Sequence, residues 1–277
     1  MRPMLVFLSA KLNGEVCQST YSAAFMVELM HTATLVHDDV VDDSLTRRSF
    51  FSINALWKNK VAVLVGDFFL AKGLLHAIRN KEYTLLDIVS DAVKDMSEGE
   101  LLQIEKSRML DITEEVYIEI ITKKTATLIA ASMVAGAASV TTDRDKLDKM
   151  KRVGVLIGQA FQIKDDIFDY EKTSFTGKPS GNDIKEQKLT LPLIYVLRNC
   201  NSKEKDWIIS TVKKHSTNIH KVTEIVEFVK ARGGIDYSVK RMNELRNEAL
   251  ELLAEYPDTE VKEAFIELIH YITERDK

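Results

Sequence analysis

Apolar-rich stretches follow one another along this chain with few breaks, and they read as helices almost end to end. Residues 20–43 form a long apolar-rich helix that ends in acid. Residues 59–80 form a very apolar helix around Gly66-Asp67, expected to be buried on most sides. Two more long helices cover 83–106 and 114–138. The second closes on small residues, from Ala130 and Ala131 to Ala135-Gly136-Ala137-Ala138, which permit close helix packing. Residues 145–171 form another long helix, again ending in acid. The one strongly loop-like stretch runs from Thr173 to Asn182, with Gly177, Pro179 and Gly181. Helices resume at 190–199, 203–213, 221–231, 236–255 and 258–275, joined by the short connections of a helical bundle. No repeat, linker or low-complexity segment divides the chain, so residues 1–277 read as one domain.

Composition narrows the class. There are 4 Pro and 11 Gly, with no proline between Pro3 and Pro179, too little turn punctuation for an all-β or α/β protein. The expected class is all-α. The net charge of −4 excludes a protein held to nucleic acid by bulk charge. Cys17 and Cys200 cannot build a disulfide framework or a zinc site, and a reducing compartment fits them. No uninterrupted run of about 18 apolar residues occurs, so no transmembrane segment is expected. The N-terminal Met1-Arg2-Pro3-Met4-Leu5-Val6-Phe7-Leu8 lacks a signal-peptide cleavage pattern, and the expected location is cytoplasmic.

Two acidic clusters carry candidate chemistry. In His37-Asp38-Asp39-Val40-Val41-Asp42-Asp43, Asp38 and Asp42 share one helix face, and Asp39 and Asp43 an adjacent one. Like charges at that spacing repel, so something cationic should compensate. In Asp165-Asp166-Ile167-Phe168-Asp169 the first and last acids again share a face, after a mostly apolar stretch from Val153 to Ile163. One such cluster reads equally well as a solvated helix end. Two, each following an apolar helix, favour a metal. Carboxylates without His or Cys support suit a hard cation, and Mg²⁺ leaves room for water and phosphate oxygens. Basic residues stand nearby: Arg47-Arg48 after the first cluster, Lys178 and Lys188 after the second, and Lys123-Lys124-Thr125 inside an otherwise apolar helix. A single Lys or Arg is ordinarily a solvated charge. Lys124 suits that reading least, because Thr125-Ala126-Thr127-Leu128-Ile129-Ala130-Ala131 follows at once. Mg²⁺-holding carboxylates plus separate cations are what a diphosphate needs.

At this point the motifs are recognisable. The chain resembles the trans-isoprenyl (polyprenyl) diphosphate synthases, especially the long-chain heptaprenyl and octaprenyl type. The resemblance rests on the run from Glu28 to Asp42, Thr46-Arg47-Arg48, Gly66-Asp67-Phe68-Phe69-Leu70-Ala71, Gly99-Glu100 with Gln103, and Lys124-Thr125-Ala126. It continues with Gly158-Gln159-Ala160-Phe161-Gln162-Ile163-Lys164-Asp165-Asp166-Ile167-Phe168-Asp169, Gly177-Lys178, Gly181-Asn182-Asp183 and Lys188-Leu189-Thr190-Leu191-Pro192. Each motif alone is weak; their order and spacing are specific.

The resemblance implies an isoprenoid-synthase-type helical bundle around a central apolar cavity, usually homodimeric. It implies Mg²⁺-dependent head-to-tail condensation of isopentenyl diphosphate with an allylic diphosphate, farnesyl or geranylgeranyl, giving a long-chain all-trans product. By the same resemblance Asp38, Asp39, Asp42, Asp165 and Asp169 hold the metal, with Asp166 behind them. Arg47, Lys124 and Lys178 hold the allylic diphosphate, and Arg2, His31 and Arg48 the isopentenyl diphosphate. Lys188 belongs to the same substrate-binding set. Thr125 and Gln162 face the allylic cation. No dedicated protein base is visible, and released pyrophosphate is the family's proton acceptor. Helix histidines are more often structural; His31 matches a ligand position, and His37 is read as structural. Ala33 and Thr34, small where short-chain synthases place a bulky aromatic, predict a deep cavity and products of about thirty-five to fifty carbons.

Two departures from the family pattern stand out. The pattern around Arg2-Pro3 reads Gly-Gly-Lys-Arg-x-Arg-Pro and follows another helix, whereas this sequence starts at Met1; weakened binding of isopentenyl diphosphate is the expectation. Ser49 replaces a usual Gly. A terpene cyclase would carry an Asn/Ser/Glu second motif. A non-catalytic or impaired subunit of a heteromeric synthase would tend to lose the Asp motifs, and both are kept here.

Overall fold

The structure is a computed structural model that describes residues 1–41, 46–47, 50–171 and 181–275. Its helices are α1 (Arg2–Asn13), α2 (Gln18–Val41), α3 (Ile53–Asn80), α4 (Tyr83–Met109), α5 (Glu114–Ile121), α6 (Thr127–Ala138), α7 (Arg144–Tyr170), α8 (Asn182–Lys185), α9 (Leu191–Asn199), α10 (Ser202–His215), α11 (Ile219–Ala231), α12 (Gly234–Ala254) and α13 (Glu260–Glu274). Between α2 and α3, strand β1 (Thr46–Arg47) pairs antiparallel with β2 (Phe50–Phe51). The all-α expectation holds, and the differences are local. Helix α1 and the short α8 were not foreseen. The stretch expected as one helix over 114–138 is two, α5 and α6, joined by a π-helical segment at Thr122–Ala126. Most of the expected loop, with Gly177, Lys178 and Pro179, lies outside the described residues, as do Asp42, Asp43 and Arg48.

Backbone packing divides the chain into two compact units. One comprises Met1–Asp95, Thr127–Gly154 and Tyr256–Phe265; the other comprises Met96–Ala126, Val155–Glu255 and Ile266–Lys277.

In the first unit α1 packs on α6, and α2 packs on α1, α3 and α6. Leu5, Val6 and Ala10 of α1 are fully buried, and Ser9 Oγ donates to the Met133 carbonyl at 2.6 Å, so the α1–α6 packing carries its own polar register. Each fully buried Leu or Val side chain contributes about 1.5–3 kcal/mol relative to exposure. Helix α3 begins at Ser52, whose side chain accepts from the Ala55 amide at 3.0 Å. It breaks at Lys58 (φ 64°) before running on, so the expected start at residue 59 is where the long segment resumes.

Helix α3 corrects the expectation of burial on most sides. Its buried residues are Asn54, Ala62, Gly66, Gly73 and Ala77, mostly small. Its large apolar side chains are exposed in this chain: Trp57 at 67%, Leu64 at 66% and Phe68 at 55%. By length and composition alone this helix is apolar enough to cross a membrane, with a mean hydropathy of 1.8 over an 18-residue stretch of it. Asp67 and Lys72 interrupt it, which is why no uninterrupted apolar run was found.

In the second unit α9 packs on α5, α11 and α12, and α11 packs on α10 and α12. Local caps fix the helix starts: Thr113 for α5, an Asn201–Glu204 capping box for α10, and Asn218 for α11. The π segment is clamped between two glycines of this unit. A Cβ on Gly99 of α4 would sit 2.7 Å from the Lys124 amide nitrogen, and one on Gly158 of α7 would sit 2.4 Å from Ala126 Cα. Only a residue without a side chain lets either helix come this close.

Candidate active site

The first Asp motif belongs to the first unit. Asp38 is half-buried at the end of α2, and Asp39 is 5% exposed. Asn54 Nδ2 donates to the Asp39 carbonyl at 3.2 Å, tying the end of α2 to the start of α3. His37 anchors the same helix end from another side. Its Nε2 lies 3.2 Å from the Val63 carbonyl and 3.4 Å from Asp67 Oδ1. A Cβ on Gly66 would meet His37 Nε2 at 2.2 Å, so the imidazole occupies space that only glycine leaves open. His37 therefore acts in the packing of α2 on α3, in line with its structural reading. Ala33 is fully buried, and Thr34 is half-buried with its hydroxyl donating to the His31 carbonyl at 2.9 Å. His31 is buried and Arg2, in the first turn of α1, is half-buried. For Arg47 the backbone of β1 is described; Asp42, Arg48 and Lys178 fall outside the described residues.

The second motif, at the C-terminal end of α7, belongs to the second unit, where the polar network is denser. Asp165 forms an ion pair with Arg275, whose guanidinium lies 4.5 Å from the centre of the Phe161 ring and 5.5 Å from that of Phe168. Burial holds the Asp165 carboxyl above its ordinary range, against the lowering effect of Arg275. Asp166 is buried and accepts from Tyr117 Oη at 2.7 Å and from Gln162 Nε2 at 2.9 Å. Asp169 accepts from two backbone amides, Asn182 at 2.9 Å and Asp183 at 3.0 Å, and its carbonyl accepts from Gly181 at 2.8 Å. It thus fastens the start of α8 to the end of α7, with Gly181 in the left-handed region at φ 84°. Burial raises the Asp169 carboxyl too, against these two amides. Asp183 sits close to Asp166 and Asp169. Burial, followed by the charge of those two carboxylates, pushes it well up, and burial is also the leading cause of the upward shift at Asp166.

The π segment faces this group from α5's end. Lys124 forms an ion pair with Glu100 and donates to Gln103 Oε1 at 3.2 Å. Thr125 Oγ1 donates to Gln162 Oε1 at 2.7 Å. Lys123 points elsewhere, between Glu98 and Glu119, both at 3.3 Å. Adjacent residues on a helix project about 100° apart, so the two lysines reach different partners. A cavity of about 120 Å³ is lined by Lys124, Thr125, Gln162, Asp166, Asp183 and Lys188. Four expected residues from three separate stretches (Lys124 with Thr125, Gln162, and Lys188) therefore share one cavity. Lys188 also pairs with Glu186 at 2.6 Å.

Tyr117, Asp183, Gln103, Glu100 and Arg275 were not assigned roles from sequence. Gln103, Glu100 and Asp183 lie in stretches already singled out, and Tyr117 stands seven residues before Lys124. Those positions were the available signal. Among the described residues no three His, Cys, Asp or Glu side chains form a ready metal cluster. The donor chemistry nonetheless suits a hard cation. The second motif offers only oxygen ligands, and its carboxyls are driven upward by burial in the presence of one paired guanidinium, a deficit of positive charge that a dication would fill.

The Polyprenyl synthetase family model matches residues 1–229. An all-trans-nonaprenyl-diphosphate synthase (geranyl-diphosphate specific) of Rhodobacter capsulatus is 35% identical over 277 residues, covering 99% of this chain and 84% of that protein. Among solved structures, a decaprenyl diphosphate synthase from Rhodobacter capsulatus superimposes with a TM-score of 0.93 at 31% identity, covering 100% of this chain and 85% of the other. A polyprenyl synthase from Caulobacter crescentus CB15, complexed with calcium and isoprenyl diphosphate, gives 0.92 at 32% identity, covering 100% and 84%.

Proposed function

The chain belongs to the polyprenyl synthetase family, and we propose that it condenses isopentenyl diphosphate head-to-tail with an allylic diphosphate to build a long-chain all-trans polyprenyl diphosphate. The observation that carries this reading is the cavity shared by Lys124, Thr125 and Gln162 beside Asp166. Residues 1–277 act as one catalytic domain on this reading, since the family match runs through segments of both units.

The reaction begins when the allylic C1–O bond breaks and negative charge gathers on the leaving diphosphate. Lys124, with Arg47 and Lys178, holds that diphosphate and neutralises part of the developing charge. Mg²⁺ bound to Asp38, Asp39, Asp42, Asp165 and Asp169 would supply further charge neutralisation for it. The relative complexed with calcium and isoprenyl diphosphate supports a divalent ion in this role. Arg2, His31 and Arg48, with Lys188 in the substrate-binding set, keep the isopentenyl diphosphate beside the cation. Its double bond attacks the allylic C1, a proton leaves the adjacent carbon, and pyrophosphate takes it up. Thr125 and Gln162 turn oxygen lone pairs toward the allylic cation. Both Asp motifs are present, which a non-catalytic subunit would not require.

Farnesyl or geranylgeranyl diphosphate is the proposed primer, and Ala33 with Thr34 leaves depth for products of about thirty-five to fifty carbons. The nonaprenyl and decaprenyl relatives support that range. We propose further that the enzyme is a cytoplasmic homodimer, with the exposed apolar side of α3 covered by a second copy. Leu64, Phe68, Leu75 and Ile78 make too continuous an apolar strip for a free surface. The test is incubation with isopentenyl diphosphate and each allylic primer, with and without Mg²⁺, and separation of products by length. Long-chain product in Mg²⁺ alone supports the reading; a cyclised hydrocarbon, or no isopentenyl incorporation with any primer, refutes it.

A further inference from the structure

The hydrogen bonds around Asp166 run in one direction. Gln162 presents its nitrogen to Asp166 Oδ1, donating at 2.9 Å. The Gln162 oxygen is then fixed on the opposite side, where it accepts the Thr125 hydroxyl at 2.7 Å. Tyr117 closes the other end of the chain by donating to Asp166 Oδ2 at 2.7 Å. Its ring is 3% exposed, so no solvent competes for that bond. Both Asp166 oxygens are thus engaged, and the order Tyr117 to Asp166, Gln162 to Asp166, Thr125 to Gln162 leaves the free lone pairs on Gln162 Oε1 and Thr125 Oγ1.

We propose that Tyr117 is a positioning residue for catalysis: it anchors Asp166, and through Asp166 it sets the Gln162 amide with its oxygen rather than its nitrogen toward the reacting cation. This rests on the reading above that Gln162 and Thr125 face that cation. An amide free to rotate by half a turn would present N–H groups instead, and those would repel the cation that the oxygen attracts. Tyr117 lines the same cavity, but its hydroxyl is spent on Asp166 and that reading gives it neither diphosphate, so its contribution belongs in the chemical step.

Tyr117→Phe keeps the ring and removes only the donor. Its kcat should fall about ten-fold, the effect of one lost hydrogen bond to a charged group, with KM for both diphosphates within about two-fold of the parent. The same substitution in a Gln162→Leu background should lower kcat by less than about two-fold, because there is no amide left to orient. Asp166→Asn serves as a second variant, since it needs no buried charge to fold; combining it with Tyr117→Phe should add little to its own loss. Independent, additive losses in these cycles would overturn the proposal and assign Tyr117 a packing role. So would an unchanged kcat for Tyr117→Phe beside an impaired Gln162→Leu. If Gln162→Leu alone leaves kcat intact, the placement of Gln162 at the cation fails, and this inference with it.

Discussion

Gly158→Ala probes how tightly the Thr122–Ala126 segment is held. The new methyl would lie 2.4 Å from Ala126 Cα and 2.6 Å from Ala126 Cβ, against an ordinary carbon–carbon separation of about 3.5–4.0 Å. Helix α7 and the Thr122–Ala126 segment must then part by about 1 Å. The neighbour is backbone, so no side-chain rotation relieves it, and Gly99 packs on the same segment so closely that a Cβ there would lie 2.7 Å from the Lys124 amide nitrogen. Overpacking of this kind costs about 1–3 kcal/mol, and each kcal/mol lowers Tm by about 2–4 °C in a domain of this size. Lys124 and Thr125 ride on the displaced segment, and a misplacement of about 1 Å in catalytic groups costs about a hundred-fold in rate. Steady-state kinetics and thermal melting should show both losses. Ala126→Gly should give little rescue, because the clash with the main chain of residue 126 remains. A Gly158→Ala enzyme with unchanged Tm and kcat would refute the clamping argument, and full rescue by Ala126→Gly would place the clash in the side chain alone.

The remaining predictions concern length, pH and assembly. Ala33→Phe should shift products to roughly fifteen to twenty carbons, read by chromatography of the dephosphorylated alcohols; an unaltered distribution would move the cavity floor away from Ala33. Burial raises the carboxyls of Asp166 and Asp183, so the folded chain keeps protons that the unfolded chain releases near about pH 4. The folded state binds more protons above that point, and the stability this supplies is lost as pH rises through the elevated folded values. Metal-free protein should therefore melt lower at about pH 8 than at about pH 6, and Asp183→Asn should narrow the gap; a gap untouched by that substitution would refute the assignment. Leu64→Glu should convert a dimer to a monomer in sedimentation velocity, and a dimer that survives it would exclude the α3 strip as the interface.

Much of the helical layout was legible, because long apolar stretches with almost no proline leave few alternatives. The breaks were not. The split of 114–138 at Thr122 has no glycine or proline of its own to mark it; the glycines packed against the segment, Gly99 and Gly158, are distant in sequence. Helix α1 begins with Arg2-Pro3, a proline suited to a first turn, yet its short apolar run was weighed only as a possible targeting signal. The candidate site showed the same division. Residue types and spacing gave Lys124 and the Asp clusters, and the family resemblance added Thr125 and Gln162, but neither gave the bonds between them. Asp169, read as a metal ligand, also receives two amides from α8, 13 and 14 residues on, and a contact at that separation leaves no mark on local pattern. The exposure of α3 was hidden for another reason: an apolar helix has the same sequence whether its neighbours come from its own chain or from a second one.

The most direct measurement of the central claim is incorporation of labelled isopentenyl diphosphate into polyprenyl product, in Mg²⁺ with farnesyl diphosphate, by the parent chain and by Asp38→Ala and Asp165→Ala. The account predicts long-chain product from the parent and a loss of turnover by orders of magnitude in each variant, with helicity unchanged by circular dichroism. Near-normal turnover in either variant would contradict it.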